Sequence, residues 1–201
     1  MADALSAAAL DDLGRHVEAT LSVCGNCAQT SFSVLQDAFA LEGGPILKAL
    51  TAFPGIALRG ETCGAVTGCL MAIGLVQGRD RLDDWKGYVA SLPAARRFCR
   101  RFEEQHGATS CSRLLEIKLG RRFNLADRGE AMEYLAAGGR EVCRGVITNA
   151  VQIAAQVIAE KRPQAARRSP PSGRRLKPFI QRCVAKMYVL IHSRRTGTRG
   201  A

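Results

Sequence analysis

Residues 62–76 read TCGAVTGCLMAIGLV, and this stretch decides the fold. It contains no charged residue, and small residues such as Gly64 and Gly68 recur along it. A helix that is apolar on nearly all sides is buried inside a protein, and its small side chains allow neighbouring helices to pack closely. The sequence therefore predicts a central helix over residues 63–76, for which the Thr62 hydroxyl is a suitable cap.

Amphipathic patterns on both sides of this helix predict further helices. The predicted helices cover residues 6–21, 27–42, 80–92, 94–105, 111–119 and 130–160. Pro93 is expected to interrupt one of them, because proline donates no backbone hydrogen bond and clashes with the preceding turn. Gly138 and Gly139 are a weak point that would divide the last segment into two helices. Residues 51–62, with one Pro and two Gly, predict an ordered loop.

Composition and charge define the domain organisation. Hydrophobic residues make up 47% of the chain and aromatic residues only 5%, which indicates an aliphatic core and disfavours sandwiches and barrels. Of the 29 Lys and Arg, 12 lie in residues 161–201, which contain no Asp or Glu, so residues 1–160 have a net charge of −1. The sequence predicts an all-α, compact multi-helix bundle over residues 4–160, followed by a basic, Pro- and Arg-rich, disordered tail over residues 161–201.

The basic tail suggests one class of function. Clustered cations bind nucleic acid or an acidic membrane surface through counterion release, without sequence specificity. The alternative is a solvated extension without a partner. No transmembrane segment is expected, because no run of about 18 apolar residues occurs. The apolar residues 5–10 lack a preceding basic region, so we expect no secretory signal and a cytoplasmic protein whose thiols are reduced.

The cysteines suggest a different class of function. Eight cysteines in 201 residues is below the density of disulfide-stapled secreted domains. Cys27, Cys63 and Cys111 begin predicted helices, where backbone N–H groups and the helix dipole are expected to lower a thiol pKa. Cys24 and Cys27 have C-x-x-C spacing, but a helix precedes them instead of the strand of a thioredoxin, and a zinc ribbon needs a second such pair. Cys69, Cys99 and Cys183 match buried hydrophobic positions better.

Four short stretches carry a resemblance to a known family. The stretches are NCAQ at residues 26–29, GETCGAVTG at residues 60–68, GATSC at residues 107–111, and Cys143 in the last predicted helix. Together they resemble, over about residues 22–155, the redox-active protein family named for its C-GCAxxG-C-C cysteine pattern. The resemblance implies a cytoplasmic protein with a redox partner protein or oxidoreductase. It implies no covalent haem, because the chain has no C-x-x-C-H motif.

By this resemblance the redox cysteines are Cys27, Cys63, Cys111 and Cys143, with Cys24 and Cys69 as auxiliary candidates. Four thiolates from four helical segments would suit an iron–sulfur cluster or zinc, with the same four cysteines as ligands. Two pairs of thiols would instead suit dithiol–disulfide exchange. In both cases Gly64 and Gly68 would let a cofactor or another helix approach the backbone, and Glu61 could tune a thiol or bind a metal. The sequence leaves the two chemistries open.

Overall fold

The computed structural model describes residues 5–161, and every regular element within them is a helix. The helices are α1 (Ala7–Cys24), α2 (Cys27–Phe39), α3 (Gly44–Ala49), α4 (Gly55–Leu58), α5 (Gly64–Gln77), α6 (Trp85–His106), α7 (Cys111–Leu119), α8 (Arg128–Ala136) and α9 (Gly139–Lys161), with a 3₁₀ turn at Leu50–Ala52. This confirms the all-α fold class. The predicted tail after Lys161, with Cys183, lies outside the described residues.

Local signals separate the first two helices. Gly25 ends α1 with φ +60° and donates its backbone N–H to the carbonyl oxygen of Leu21 at 2.9 Å. Asn26 then caps α2, because its side-chain oxygen accepts the N–H groups of Ala28 and Gln29 at 3.0 Å each. A glycine in the left-handed region followed by an Asn cap is a typical helix–helix junction. Asn26 is therefore the N-cap of α2, and Cys27 is the first residue of this helix.

Helix α5 lies in the middle of the bundle and packs against α2, α6 and α9, with its closest approach to α2. A Cβ atom at Gly68 would lie 2.3 Å from the carbonyl oxygen of Ala28 and 3.0 Å from the Cβ of Ser31. One turn earlier, a Cβ at Gly64 would lie 2.3 Å from the Sγ of Cys27. These contacts require glycine at both positions, so the small residues of α5 bring α2 into backbone contact.

Helix α9 forms the other side of the core, and it packs against α1, α2, α5 and α6. Its fully buried side chains include Val151, Ala154 and Ile158, which join Phe32, Phe98 and others in one apolar cluster. Residues Gly139–Glu160 are long and apolar enough to cross a membrane, with a mean hydropathy of 1.3, and half of this window is buried inside the bundle. A buried central helix of a soluble domain has the same composition.

The structure corrects three local predictions and confirms a fourth. Helix α6 continues through Pro93, because this residue lies on the exposed face, where the carbonyl left without a helical partner can bind water. Residues 51–62 form short turns, including α4, in addition to loop. Cys63 occupies the N-cap position of α5 and Thr62 does not cap it. The predicted break at Gly138 is confirmed, with φ +79° between α8 and α9.

The contact between α5 and α2 generates a stability prediction. Gly68→Ala should lower the free energy of unfolding by about 1–3 kcal/mol, because the new methyl group collides with the backbone of α2. Gly74→Ala is the matched control on the same helix, since its Cβ would meet no atom within 4 Å. This control should raise stability by about 0.5–1 kcal/mol through helix propensity. Urea unfolding followed by circular dichroism measures both, and equal stability of Gly68→Ala and the parent protein would contradict the packing described.

Candidate functional site

Four thiols line one cavity of about 230 Å³ between the helix ends. They belong to Cys27, Cys63, Cys111 and Cys143, which come from α2, the start of α5, α7 and α9. All six pairs among these thiols interact electrostatically. The structure therefore brings together four cysteines that are spread over more than a hundred residues of sequence, and we call them the thiol cluster.

The position of Cys27 follows from the contact between α2 and α5. Its sulfur lies against Gly64, in the space that any larger residue at position 64 would fill. The backbone N–H of Gly64 forms a hydrogen bond to the Cys27 thiolate, which lowers its pKa against the effect of burial. Gly64, which is buried between two helices, therefore has two roles at the site. Its lack of a side chain makes room for the Cys27 sulfur, and its amide donates a hydrogen bond to the thiolate.

A pair of short backbone segments positions Cys63 and Cys111. The N–H of Cys63 bonds to the carbonyl of Thr109 at 2.8 Å, and the N–H of Cys111 bonds to the carbonyl of Glu61 at 2.6 Å. Between them, Thr62 and Ser110 form an antiparallel bridge. The two cysteines are thus fixed next to each other by main-chain hydrogen bonds, and each stands at the start of its helix.

Tyr134 is a member of the site that the sequence analysis missed. Its side chain comes from α8, lines the cavity and donates a hydrogen bond to the Cys143 thiolate. The ring packs on the backbone of Gly139, where a Cβ would lie 2.0 Å from it, and meets Phe123 edge-on at 6.0 Å between ring centroids. No motif in the sequence marked this residue, since its hydroxyl meets Cys143 only through the break between α8 and α9 at Gly138.

The predicted lowering of the thiol pKa values is wrong. Burial raises the pKa of Cys111 to about 11 and, together with the neighbouring thiolates of Cys143 and Cys111, that of Cys27 to about 12. Burial also raises the pKa of Cys63 well above its ordinary value and raises that of Cys143. The helix-start amides do reach Cys27 and Cys63 and lower their pKa values. Loss of hydration in an apolar site outweighs this effect.

The remaining predicted site residues lie elsewhere. Cys24 is exposed at the end of α1, and its sulfur contacts the Thr30 hydroxyl at 3.0 Å. Cys69 is buried beside Ser31 and Cys99 on the far side of α5. Neither lines the cavity. Gly68 packs against α2 and does not face the cavity, and Glu61 contributes its backbone while its side chain is exposed.

The cluster as it stands consists of free thiols. All seven cysteines of the described residues are unpaired. Within residues 5–161, no group of three or more His, Cys, Asp or Glu side chains is arranged to hold a metal ion. Metal binding by Cys27, Cys63, Cys111 and Cys143 stays a prediction. What the geometry provides directly is a set of protonated thiols close enough to influence one another's ionisation.

The raised pKa values predict an unusual pH dependence of thiol alkylation. In the reduced native protein, iodoacetamide should modify Cys111 about tenfold faster for each pH unit up to pH 10, since the thiolate is the reacting species. In urea the rate should level off near the ordinary thiol pKa of about 8.5, because burial is lost. Peptide mass spectrometry over pH 7–10.5 measures both rates. A native rate that levels off below pH 9 would show that burial does not control this thiol.

Comparison with known proteins agrees with this geometry. A family model described as "Putative redox-active protein (C_GCAxxG_C_C)" matches residues 25–157, which include the four cluster cysteines and Tyr134. No curated protein and no solved structure matches the chain. The match covers well over half of the 201 residues, and it confirms the resemblance seen in the motifs. The chain therefore belongs to the C_GCAxxG_C_C family, whose description is that of a redox-active protein.

Proposed function

We propose that the thiol cluster is a dithiol–disulfide redox centre that exchanges electrons with a disulfide of a substrate or partner. The observation that carries this proposal is the convergence of four free thiols on one cavity. Thiol–disulfide exchange needs an attacking thiolate, a nearby resolving thiol and access for the disulfide. The cavity supplies the access and the cluster supplies the two thiols.

Differences in the ease of thiolate formation support a division of the cluster into two pairs. Burial and the neighbouring thiolates raise the pKa of Cys27 to about 12 and that of Cys63 well above its ordinary value. The pKa of Cys111, in contrast, rises only to about 11, and Cys143 accepts a hydrogen bond from Tyr134. Cys63 is only 7% exposed, while Cys27, Cys111 and Cys143 are partly exposed. Of the three partly exposed thiols, Cys111 and Cys143 therefore form the reacting thiolate more readily than Cys27. We assign these two as the exchanging pair and Cys27 with Cys63 as an inner pair that can pass electrons to it.

Tyr134 makes Cys143 the best candidate for the attacking thiol. A hydrogen bond from a hydroxyl stabilises the thiolate over the neutral thiol, and Tyr134 donates one to Cys143. In the exchange, the Cys143 thiolate attacks one sulfur of the incoming disulfide, and the other sulfur leaves and takes up a proton. Cys111 then attacks the Cys143 sulfur of this mixed disulfide and releases the first substrate sulfur, which also takes up a proton. The protein loses two electrons and two protons and keeps a Cys111–Cys143 disulfide.

The return to the dithiol requires an external reductant. We propose a dithiol redox protein or oxidoreductase as this partner, in a cytoplasmic setting where such reductants keep thiols reduced. Because burial raises the thiol pKa values, little thiolate exists near pH 7 and reaction with bulk oxidants should be slow. Slow background oxidation favours electron transfer to molecules that bind in the cavity.

Titration with redox buffers tests the exchanging pair. The full chain, equilibrated against reduced and oxidised dithiothreitol, should form a Cys111–Cys143 disulfide that mass mapping identifies. Cys143→Ser should remove this transition, because the pair loses one sulfur. Cys24→Ser is the matched control, since Cys24 does not line the cavity, and it should keep the midpoint potential of the parent protein.

Two results would overturn the dithiol proposal. One is an unchanged transition in Cys143→Ser. The other is iron or zinc bound in stoichiometric amounts, with loss of the metal in Cys63→Ser, in protein purified without oxygen. This second result would identify a thiolate-bound metal centre on the same four cysteines and confirm the alternative left open by the sequence.

The role of Tyr134 is tested by removing its hydroxyl. Tyr134→Phe should slow alkylation of Cys143 at pH 8 by about tenfold, because hydrogen bonds to charged groups contribute about 1.5–3 kcal/mol. The pH profile of the alkylation should shift to higher pH by about one unit or more. Tyr88→Phe, on α6 outside the cavity, should leave the profile unchanged. An unshifted profile in Tyr134→Phe, with the fold intact by circular dichroism, would show that Tyr134 only fills space.

A further inference from the structure

The cavity that contains the thiol cluster has mostly apolar walls. Its walls include Leu21, Phe123, Leu125, Val146 and Ile147, and further aliphatic residues extend to the surface. Leu58 and Leu135 also line it, and they are 39% and 49% exposed, so they mark the open side. Apolar walls with a few polar groups are typical of small-molecule sites. At about 230 Å³, the cavity suits a small ligand.

One cationic side chain lines the cavity together with these apolar residues. Arg140, in the first turn of α9, lines the cavity and is exposed, which places it at the open side with Leu135. No Asp or Glu is among the residues that line the cavity. The described part of the chain therefore gives the cavity one positive charge at its entrance and no negative charge to balance it.

Arg140 differs from the arginines around it in having no partner. Arg121 pairs with Glu130 and Glu133, and Arg144 pairs with Glu18 and Glu141. Among residues 5–161, the side chain of Arg140 makes no ion pair or hydrogen bond. Its planar fork of donors is thus available to a carboxylate from outside the protein.

We infer that the cavity binds a small apolar carboxylate, with the carboxylate on Arg140 and the apolar chain directed toward the thiol cluster. This inference rests on the proposed exchange for its second part: the substrate is an aliphatic acid whose chain carries a cyclic disulfide, because a cavity of about 230 Å³ has room for one short chain and not for the two chains of a linear disulfide. Apolar walls recognise the chain, the guanidinium recognises the acid, and the thiols reduce the sulfur–sulfur bond.

The reaction balances on the residues already described. The Cys143 thiolate attacks one ring sulfur of the ligand, so that a mixed disulfide forms and the second ring sulfur leaves as a thiolate and takes up a proton. Cys111 attacks the Cys143 sulfur of the mixed disulfide and releases the first ligand sulfur, which also takes up a proton. The ligand gains two electrons and two protons and leaves as a dithiol acid, while the protein gains one disulfide.

Binding is tested with octanoate, which has the chain and the acid but no sulfur. Isothermal titration calorimetry on the reduced full chain should show one site, and bound octanoate should protect Cys111 and Cys143 from alkylation. Arg140→Gln should weaken octanoate binding about tenfold, as expected for the loss of a charge-assisted hydrogen bond. Arg96→Gln, an exposed arginine of α6 away from the cavity, is the matched control and should bind as the parent does. Octanamide, which has no charge, should bind equally to the parent and to Arg140→Gln.

Lipoate and its neutral amide then separate this inference from the proposed function. The parent protein should reduce lipoate faster than lipoamide, and Arg140→Gln should remove the difference. If octanoate binds through Arg140 but neither disulfide is reduced, while the dithiothreitol titration still forms the Cys111–Cys143 disulfide, the substrate inference is overturned and the exchange proposal stands. If octanoate does not bind, or binds equally well to Arg140→Gln, the inference is overturned even where the redox titration of Cys111 and Cys143 succeeds.

Discussion

The contact between α2 and α5 is the constraint on which the site depends. At Gly64 and Gly68 the two helices touch through their backbones, and any side chain there would collide with Cys27 or Ala28. This contact sets the first residue of α2 beside the first residues of α5, so that Cys27 and Cys63 meet at helix ends. The pairing of residues 60–63 with 109–112 then adds Cys111 to the same place. The glycines that let α2 and α5 pack closely therefore also position the thiols.

Two opposing effects act on the thiols at these helix ends. The amides of Gly64 and Ala65 favour the thiolates of Cys27 and Cys63, as a helix start should. The surrounding apolar side chains remove water and favour the neutral thiols, and this effect is larger. The result is a cluster that stays protonated near pH 7 without mutual repulsion. Such a cluster gains reactivity where a donor such as Tyr134 offsets the loss of hydration.

The sequence predicted the parts of the structure that depend on neighbours along the chain. Gly25 and Asn26 form a junction readable from two residues, and the run of small residues in α5 predicted close packing before any partner was known. The resemblance to the family pointed to four cysteines as the redox thiols, and the structure brings these four to one cavity. Pro93 was expected to interrupt a helix and does not, because the free-energy cost of a proline inside a helix depends on whether it lies on the exposed or the buried face. The thiol pKa values were predicted wrongly for a similar reason, since burial is a property of the whole fold.

Tyr134 and Arg140 show why the rest of the site could not be read from spacing. In a continuous helix, Tyr134 and Cys143 would lie nine residues apart, about 13.5 Å along the axis and on opposite sides. The sequence alone therefore gave no reason to connect them. Gly138, in the left-handed conformation, separates α8 from α9, so Tyr134 and Cys143 do not share one helix axis. Gly139 has no side chain and leaves room for the Tyr134 ring against its backbone. The same turn carries Arg140 to the cavity entrance. A single break between α8 and α9 thus supplies the hydrogen-bond donor of the thiol cluster and the cation at its entrance.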